Sequence, residues 1–358
     1  MSLLELTVRD LRCLELAELT LHPQRNLIWG ANGAGKTSLL EAIFLLGRGR
    51  SFRTRNSERL IRQGSSSLTV FGRLEDTQAG GIGVPVGIGV QVSRSGGTVA
   101  HVRGSPATSL TELSQAFPVQ VIDPGVHKLV EEGGHRRRRW LDWAVFHVEP
   151  GFAPQWVRYN RTLKQRNAAL RQPGHDTGPW DVELARLGEL ISQSRRVVMM
   201  SLSSVWAQTV RALTDLEVDL TYYQGWSAEH PLEQALAQSR VRDVGRGLTH
   251  AGPHRADVLV RLGGRAAREV LSRGQQKLVA VAMILSQIRL LQETLGIHPT
   301  LLLDDPAAEL DGTHLRRFID AVQPLRCQLV LTSLQPGADL FGSPDKTFHV
   351  ERGRINPV

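Results

Sequence analysis

The sequence predicts an α/β fold: a nucleotide-binding unit built on a mixed sheet and interrupted by an inserted, mainly helical arm. Three observations carry that prediction. A glycine-rich run, Gly30-Ala31-Asn32-Gly33-Ala34-Gly35-Lys36-Thr37, follows a short apolar strand and opens straight into a segment of helical composition. Far along the chain a second apolar strand, Thr300-Leu301-Leu302-Leu303, ends in Asp304-Asp305. Between them, from about residue 125 to 242, alternation gives way to Arg-, Leu-, Ala- and Gln-rich sequence with helical spacing. The two ends, 1–124 and 243–358, are therefore expected to fold as one unit, with 125–242 inserted as the arm.

Leu3 to Val8 and Leu14 to Leu21 alternate and read as paired strands. Asn26 to Trp29 is the short apolar strand feeding the glycine loop, and Thr37 to Leu46 is the helix leaving it. Gly47 to Arg62 is basic and punctuated by glycine. Leu68 to Val102 alternates, with Gly80-Gly81 and Gly96-Gly97 as turns, and predicts an antiparallel meander. Pro118 to Pro124 reads as a core strand stopped by proline. In the arm, Leu184, Leu187, Leu190 and Ile191 are assigned to one helix face that continues through Val197 and Val198, and 173–179 is a loop. Strand character returns at Val258 to Leu262. A helix over Gln275 to Thr294 follows, then the acidic strand and a late strand, Gln328 to Leu331.

Lys and Arg exceed Asp and Glu by 43 − 35 = 8. Arginine supplies most of that excess, and its planar fork suits phosphate. Cys13 and Cys327 have no metal-like neighbours, and two cysteines in 358 residues do not predict a disulfide framework, which fits a reducing compartment. The N-terminal segment reads as a strand and not a leader, and the longest apolar run, Leu278 to Leu285, is too short to span a bilayer. A cytosolic protein is expected.

The glycine run fits the phosphate-binding pattern G-x-x-x-x-G-K-[ST]. Its glycines let backbone N–H groups curl around a phosphate, and the following helix adds its positive end. The phosphate-binding set runs from Gly30 through Ser38; Lys36 is expected on the β- and γ-phosphates and the Thr37 hydroxyl on Mg²⁺. Asp304, at the carboxyl edge of its strand, is expected to hold Mg²⁺ through water, and Asp305 to orient the attacking water. Ser272 and Gly274 lie just before a helix, where a hydroxyl and backbone N–H groups form an anion site.

Leu271-Ser272-Arg273-Gly274-Gln275-Gln276-Lys277 resembles the signature motif of the ABC-type ATPases. Over almost its full length the chain resembles the RecF family, a bacterial relative of the SMC-type ABC ATPases. Beyond the two nucleotide motifs, the resemblance is carried by Leu40-Glu41-Ala42-Ile43, Ser51-Phe52-Arg53-Thr54, Arg137-Arg138-Arg139-Trp140-Leu141-Asp142-Trp143, Phe146-His147-Val148-Glu149, Thr249-His250-Ala251-Gly252-Pro253-His254-Arg255 and Glu309-Leu310-Asp311. It implies an ABC-type P-loop ATPase head and a homodimer closed on ATP and Mg²⁺, with the loop of one subunit and the signature of the other on one nucleotide. It also implies binding to gapped DNA near single-strand–double-strand junctions, and RecA loading with RecR and RecO.

The resemblance places Glu309-Leu310-Asp311 in a loop crossing the dimer interface, where Ala308 replaces a frequent serine. It makes Gln120 the candidate sensor of Mg²⁺ and the attacking water. Asp305 is one methylene shorter than the usual glutamate, and Thr332-Ser333-Leu334 stands where transporter ATPases carry histidine. Both departures imply slow hydrolysis. Arg48, Arg50, Arg53, Arg55, Arg59 and Arg62, with Arg136 to Arg139, are the expected DNA phosphate contacts. Trp140 and Trp143 are expected in the core, and His147, His250 and His254 in packing or turns. Two other classes compete: a transporter's ATPase subunit, which the arm disfavours, and a nucleotide switch without relevant hydrolysis.

Overall fold

A computed structural model describes residues 1–75, 85–107, 109–172, 174, 176–310, 312–337 and 339–357. The turn expected at Gly80-Gly81 lies outside them, as do Pro173 and His175 of the expected arm loop and Asp311. The chain divides into two compact units, Met1–Val126 with Gln292–Val358, and His127–Leu291.

In chain order the first unit contributes β1 (Ser2–Leu11), β2 (Leu14–Thr20), β3 (Arg25–Trp29), α1 (Lys36–Arg48), β4 (Ser67–Glu75), β5 (Val86–Ser93), β6 (Gly97–Val102), β7 (Ser105–Pro106), α2 (Leu110–Ala116) and β8 (Val119–Ile122). The second contributes α3 (Lys128–Glu131), α4 (Gly134–Val148), α5 (Phe152–Leu170), α6 (Gly178–Leu213), β9 (Val218–Tyr223), α7 (Leu232–Arg246), β10 (Asp257–Leu262), β11 (Arg265–Ala266), α8 (Ala267–Val270) and most of α9 (Arg273–Leu295). The first then resumes with β12 (Thr300–Leu303), α10 (Pro306–Glu309), α11 (Gly312–Val322), β13 (Leu329–Ser333), β14 (Lys346–Glu351) and β15 (Arg354–Pro357).

The first unit holds two sheets. One is mixed, in the order β15-β14-β3-β13-β12-β8, parallel throughout except for the β14–β15 hairpin. The other is antiparallel, β2-β1-β4-β5-β6-β7, and contains the paired strands and meander that alternation predicted. Helix α1 touches β1, β4 and β5 of the antiparallel sheet and β8 and β13 of the mixed one. Covered from both sides, it is apolar around nearly its whole circumference, with Leu39, Leu40, Ile43, Leu45 and Leu46 fully buried. That burial anchors the phosphate loop, because the loop is the direct continuation between β3 and α1.

In the second unit the 36-residue α6 packs against α4, α5 and α7. Leu184, Leu187, Ile191 and Val198 are buried as expected, but Leu190 and Val197 are not, at 40% and 38% exposed. At 3.6 residues per turn both lie roughly 120–140° around the helix from Leu184, outside the buried stripe.

The division also differs from the expected return at residue 243. The strand expected at 258–262 is present as β10, but it pairs with β9, from Asp257↔Tyr223 to Leu262↔Val218, and so forms with β11 a three-stranded sheet with a strand of the stretch expected to be mainly helical. Helix α9 is tied to α4 there: the Trp140 indole donates to the Met283 carbonyl at 3.0 Å, and the Gln287 amide donates to the Trp140 carbonyl. The signature segment accordingly belongs to the second unit. Helix α9 is also long and apolar enough to cross a bilayer, which the eight-residue run alone is not, but 72% of its most apolar window is buried within the protein.

Candidate nucleotide site

Strand β3 lies centrally, between β13 and β14 in parallel register. Gly30, at its carboxyl end, donates its N–H to the Ser333 carbonyl and has φ +155°. A Cβ there would stand 2.2 Å from the Val350 carbonyl oxygen, so only glycine fits. Ala31, Asn32 and Gly33 are exposed at the mouth of the loop, while Ala34, Gly35 and Lys36 are buried. The Gly353 N–H donates to the Ala34 carbonyl at 2.9 Å and fixes the far side of the loop.

Lys36 Nζ donates to the Gly30 carbonyl at 2.7 Å and the Ala31 carbonyl at 3.0 Å. Burial lowers its pKa, against the opposing pull of Asp305 and Asp304. Thr37 Oγ1 lies 3.0 and 3.1 Å from the two Asp304 carboxylate oxygens, although the residues are 267 positions apart. Parallel pairing of β12 with β13, and of β13 with β3, brings them together. Ser38 is buried, its hydroxyl 3.8 Å from Cys13 Sγ. A hydroxyl and a carboxylate converging beside a lysine and exposed backbone N–H groups can take a polyphosphate with a hard divalent cation, which prefers oxygen donors.

Two features of this site had no role assigned from sequence. Thr332 Oγ1 lies 3.0 Å from Asp304 Oδ1 and accepts the Asp305 N–H at 2.9 Å. The folded register supplies the contact: Leu303 pairs with Leu331, so the next residues, Asp304 and Thr332, fall side by side. The second is Glu41, fully buried on α1, which accepts both arms of the Arg12 guanidinium and the Ser51 hydroxyl. Ser51 Oγ in turn accepts the N–H groups of Arg53 and Thr54, which gives both family-like segments, at 40–43 and 51–54, one structural purpose.

Gln120 does not reach the acidic edge. It is buried in β8 opposite Leu301, three residues and roughly 10 Å of strand short of Asp304. The strand level with Asp304 ends at Ile122, whose carbonyl accepts the Asp304 N–H. The family resemblance named Gln120 as the candidate sensor, and the pairing register sets it back along β8 from the acidic edge.

Ser272, in the second unit, begins α9 through a reciprocal cap: its N–H donates to Gln275 Oε1 and its hydroxyl accepts the Gln275 N–H. Ser272, Arg273 and Gly274 are all exposed.

The arginine runs divide between exposed members, Arg139 among them, and members held within the fold. Arg50, Arg53, Arg55 and Arg59 are exposed, but Arg48 lies over the Phe44 ring and Arg62 pairs with Asp10 and Glu15. In the second unit Arg136 pairs with Glu132. Arg137 is buried on Asp257 through two hydrogen bonds of 2.9 Å and donates to the carbonyls of Leu129, Val130 and Glu132. Arg138 donates to the Ala256 carbonyl. The fully buried Arg195 forks onto Asp142 and donates to the Pro253 carbonyl. These three arginines fasten the segment 253–257.

The same segment holds His254, whose Nε2 faces the Thr249 carbonyl at 3.0 Å and whose Nδ1 meets the Tyr159 hydroxyl at 2.7 Å. This assigns a neutral ring that donates through Nε2 and accepts at Nδ1. Burial lowers its pKa to about 4 and raises that of Tyr159. His250 pairs with the buried Asp243, and Trp140 and Trp143 are in the core. Among the described residues no cluster of His, Cys, Asp and Glu could hold a metal by itself.

Comparison with known proteins agrees with this architecture. The RecF/RecN/SMC N terminal domain family matches residues 2–352. DNA replication and repair protein RecF of Pseudomonas putida is 39% identical over 363 residues, covering 99% of this chain and 98% of the relative. That of Pseudomonas syringae pv. syringae is 40% identical with the same coverage. A solved structure of the recombination mediator protein RecF-ATP in the RecFOR pathway superposes with a TM-score of 0.90 at 26% identity, covering 100% of this chain and 97% of the other. An Smc head bound to the C-winged helix domain of ScpA reaches 0.59 at 15% identity over 100% and 98%, a likeness of fold alone. With a matching family over nearly all residues and relatives near 40% identity end to end, the chain belongs to the RecF family of DNA replication and repair proteins.

Proposed function

We propose that this chain is an ATP-driven dimeric clamp of recombinational repair and replication restart, with weak, DNA-dependent ATP hydrolysis. The observation that carries the reading is the meeting of Thr37 with Asp304 at the mouth of the loop, with Lys36 and Asp305 beside them. The hard-oxygen pair fits Mg²⁺, and the positive-φ glycines at Gly30, Gly33 and Gly35 fit a phosphate chain. When bound, ATP with Mg²⁺ supplies the transferable phosphoryl group and neutralises its charge. Thr37 and Asp304 would hold the ion, and Lys36 would exchange its loop carbonyls for phosphate oxygens. Asp305 orients water, and its short side chain keeps hydrolysis slow. The exposed Ser272 and Gly274 of a second copy complete the site, so dimer closure follows ATP.

Arg50, Arg53, Arg55 and Arg59 offer contacts to DNA phosphates, and the favoured substrate is gapped DNA at a single-strand–double-strand junction. RecR is the proposed direct partner, with RecO in the same pathway, which the RecFOR context of the similar RecF structures supports; RecA and a cytoplasmic location complete the reading.

Light scattering with ATP and gapped duplex tests the reading. The native chain is expected to double in mass with ATP, and Ser272→Arg to bind ATP yet stay monomeric. A native protein that stays single with ATP and DNA at every concentration overturns the clamp.

A further inference from the structure

We infer that Thr332 is a positioning residue for ATP hydrolysis, holding both acidic residues of the site through one hydroxyl. A hydroxyl has one proton to give and two lone pairs to accept with. Here the proton goes to Asp304 Oδ1 at 3.0 Å, with the Leu303 carbonyl farther off at 3.5 Å, and the oxygen accepts the Asp305 N–H at 2.9 Å. Thr332 is 1% exposed, so water cannot take over either bond.

The two bonds do different things. The first holds Asp304 by the same Oδ1 that lies 3.0 Å from Thr37 Oγ1, so the carboxylate is gripped from both sides in the orientation that faces the loop. The second pins the backbone where it is least at ease. Asp305 adopts φ 49°, ψ 56°, a left-handed conformation that disfavours residues with a Cβ. Pro306 follows it and opens α10, and the Ala308 N–H donates to the Asp305 carbonyl. The carboxylate of Asp305 is aimed by this turn, and the turn is held on its amide side by Thr332. Since Asp304 and Thr332 are lateral neighbours on parallel strands, the geometry follows from the register of the mixed sheet.

The inference rests on the ATPase reading and adds a residue to it. Its test is Thr332→Val, which keeps the shape and deletes the hydroxyl, with Thr332→Ser as the conservative variant. Thr332→Ala replaces the first if valine does not fold. The valine variant is expected to lose about tenfold or more in kcat with KM for ATP nearly unchanged, and to need several-fold more Mg²⁺ for half-maximal rate, while serine recovers most of the loss. Binding of a non-hydrolysable ATP analogue gives a second readout. Mg²⁺ should tighten it for the native and serine proteins and do so much less for valine, while affinities in EDTA agree. If the native chain turns over no ATP, the ATPase reading falls and the analogue measurement alone decides the role of Thr332. Native-like kcat, Mg²⁺ requirement and analogue binding in the hydroxyl-free variant overturn it, as does a lowered melting temperature with no change in the other three.

Discussion

At the residue scale, charge means little until burial is known. Arg137 and Arg50 are one residue type in two basic runs, yet one is sealed against Asp257 and three carbonyls and the other faces solvent. Arg137→Ala leaves a partly buried carboxylate unpaired and is expected to cost about 3–5 kcal/mol of stability, whereas Arg50→Ala should change it by under about 0.5 kcal/mol. Urea denaturation of the two variants checks this. Lys36, Thr37 and Asp304 were legible because a motif of eight residues, or an apolar run ending in an acid, declares itself locally. Arg137 was misread and Thr332 was assigned no role, because their partners lie 120 and 28 residues away and only the folded register supplies them.

At the element scale, the segment 249–257 is held by a network of polar side chains, with Arg137, Arg138, Arg195, Tyr159 and Asp243 all bonded to it. His254 protonates near 4 in the folded chain against an ordinary value of 6.5. Between those values the unfolded chain binds more protons, so this stability is fully present above pH 6.5 and drains as pH falls toward 4. Its size is on the order of 2–3 kcal/mol. Native protein is expected to lose about that much more than His254→Gln between pH 7 and 4, by denaturation midpoints at each pH. Equal pH slopes in the two proteins would remove the histidine from the account. Elements were read well where alternation dominates, as in the meander, or where a motif opens them, as the glycine loop opens α1. The expected arm, 125–242, was read as mainly helical because its one six-residue strand, β9, sits among helices and is too short to outweigh its neighbours, whereas β10, beyond the arm, was legible as a strand.

At the scale of the whole molecule, the proposed clamp makes DNA affinity a matter of counted phosphates. Each neutralised phosphate contributes about −0.9 to the slope of log affinity against log salt on duplex DNA. Replacing Arg53 or Arg59 with alanine should therefore flatten the slope by about one each if the residue meets a phosphate, measured by fluorescence anisotropy on gapped duplex across a salt series. Unchanged slopes for both would move the DNA surface elsewhere.

The close seat of Gly30 against Val350, and of Gly353 against Ala34, has a temporal implication. A ribosome releases Gly30 to Thr37 more than three hundred residues before the strand that braces them. Until β13 and β14 flank β3, the nascent loop lacks its walls, so ATP cannot reward an unfinished polypeptide. On the proposed reading, nucleotide capture would then follow completion of both flanking strands.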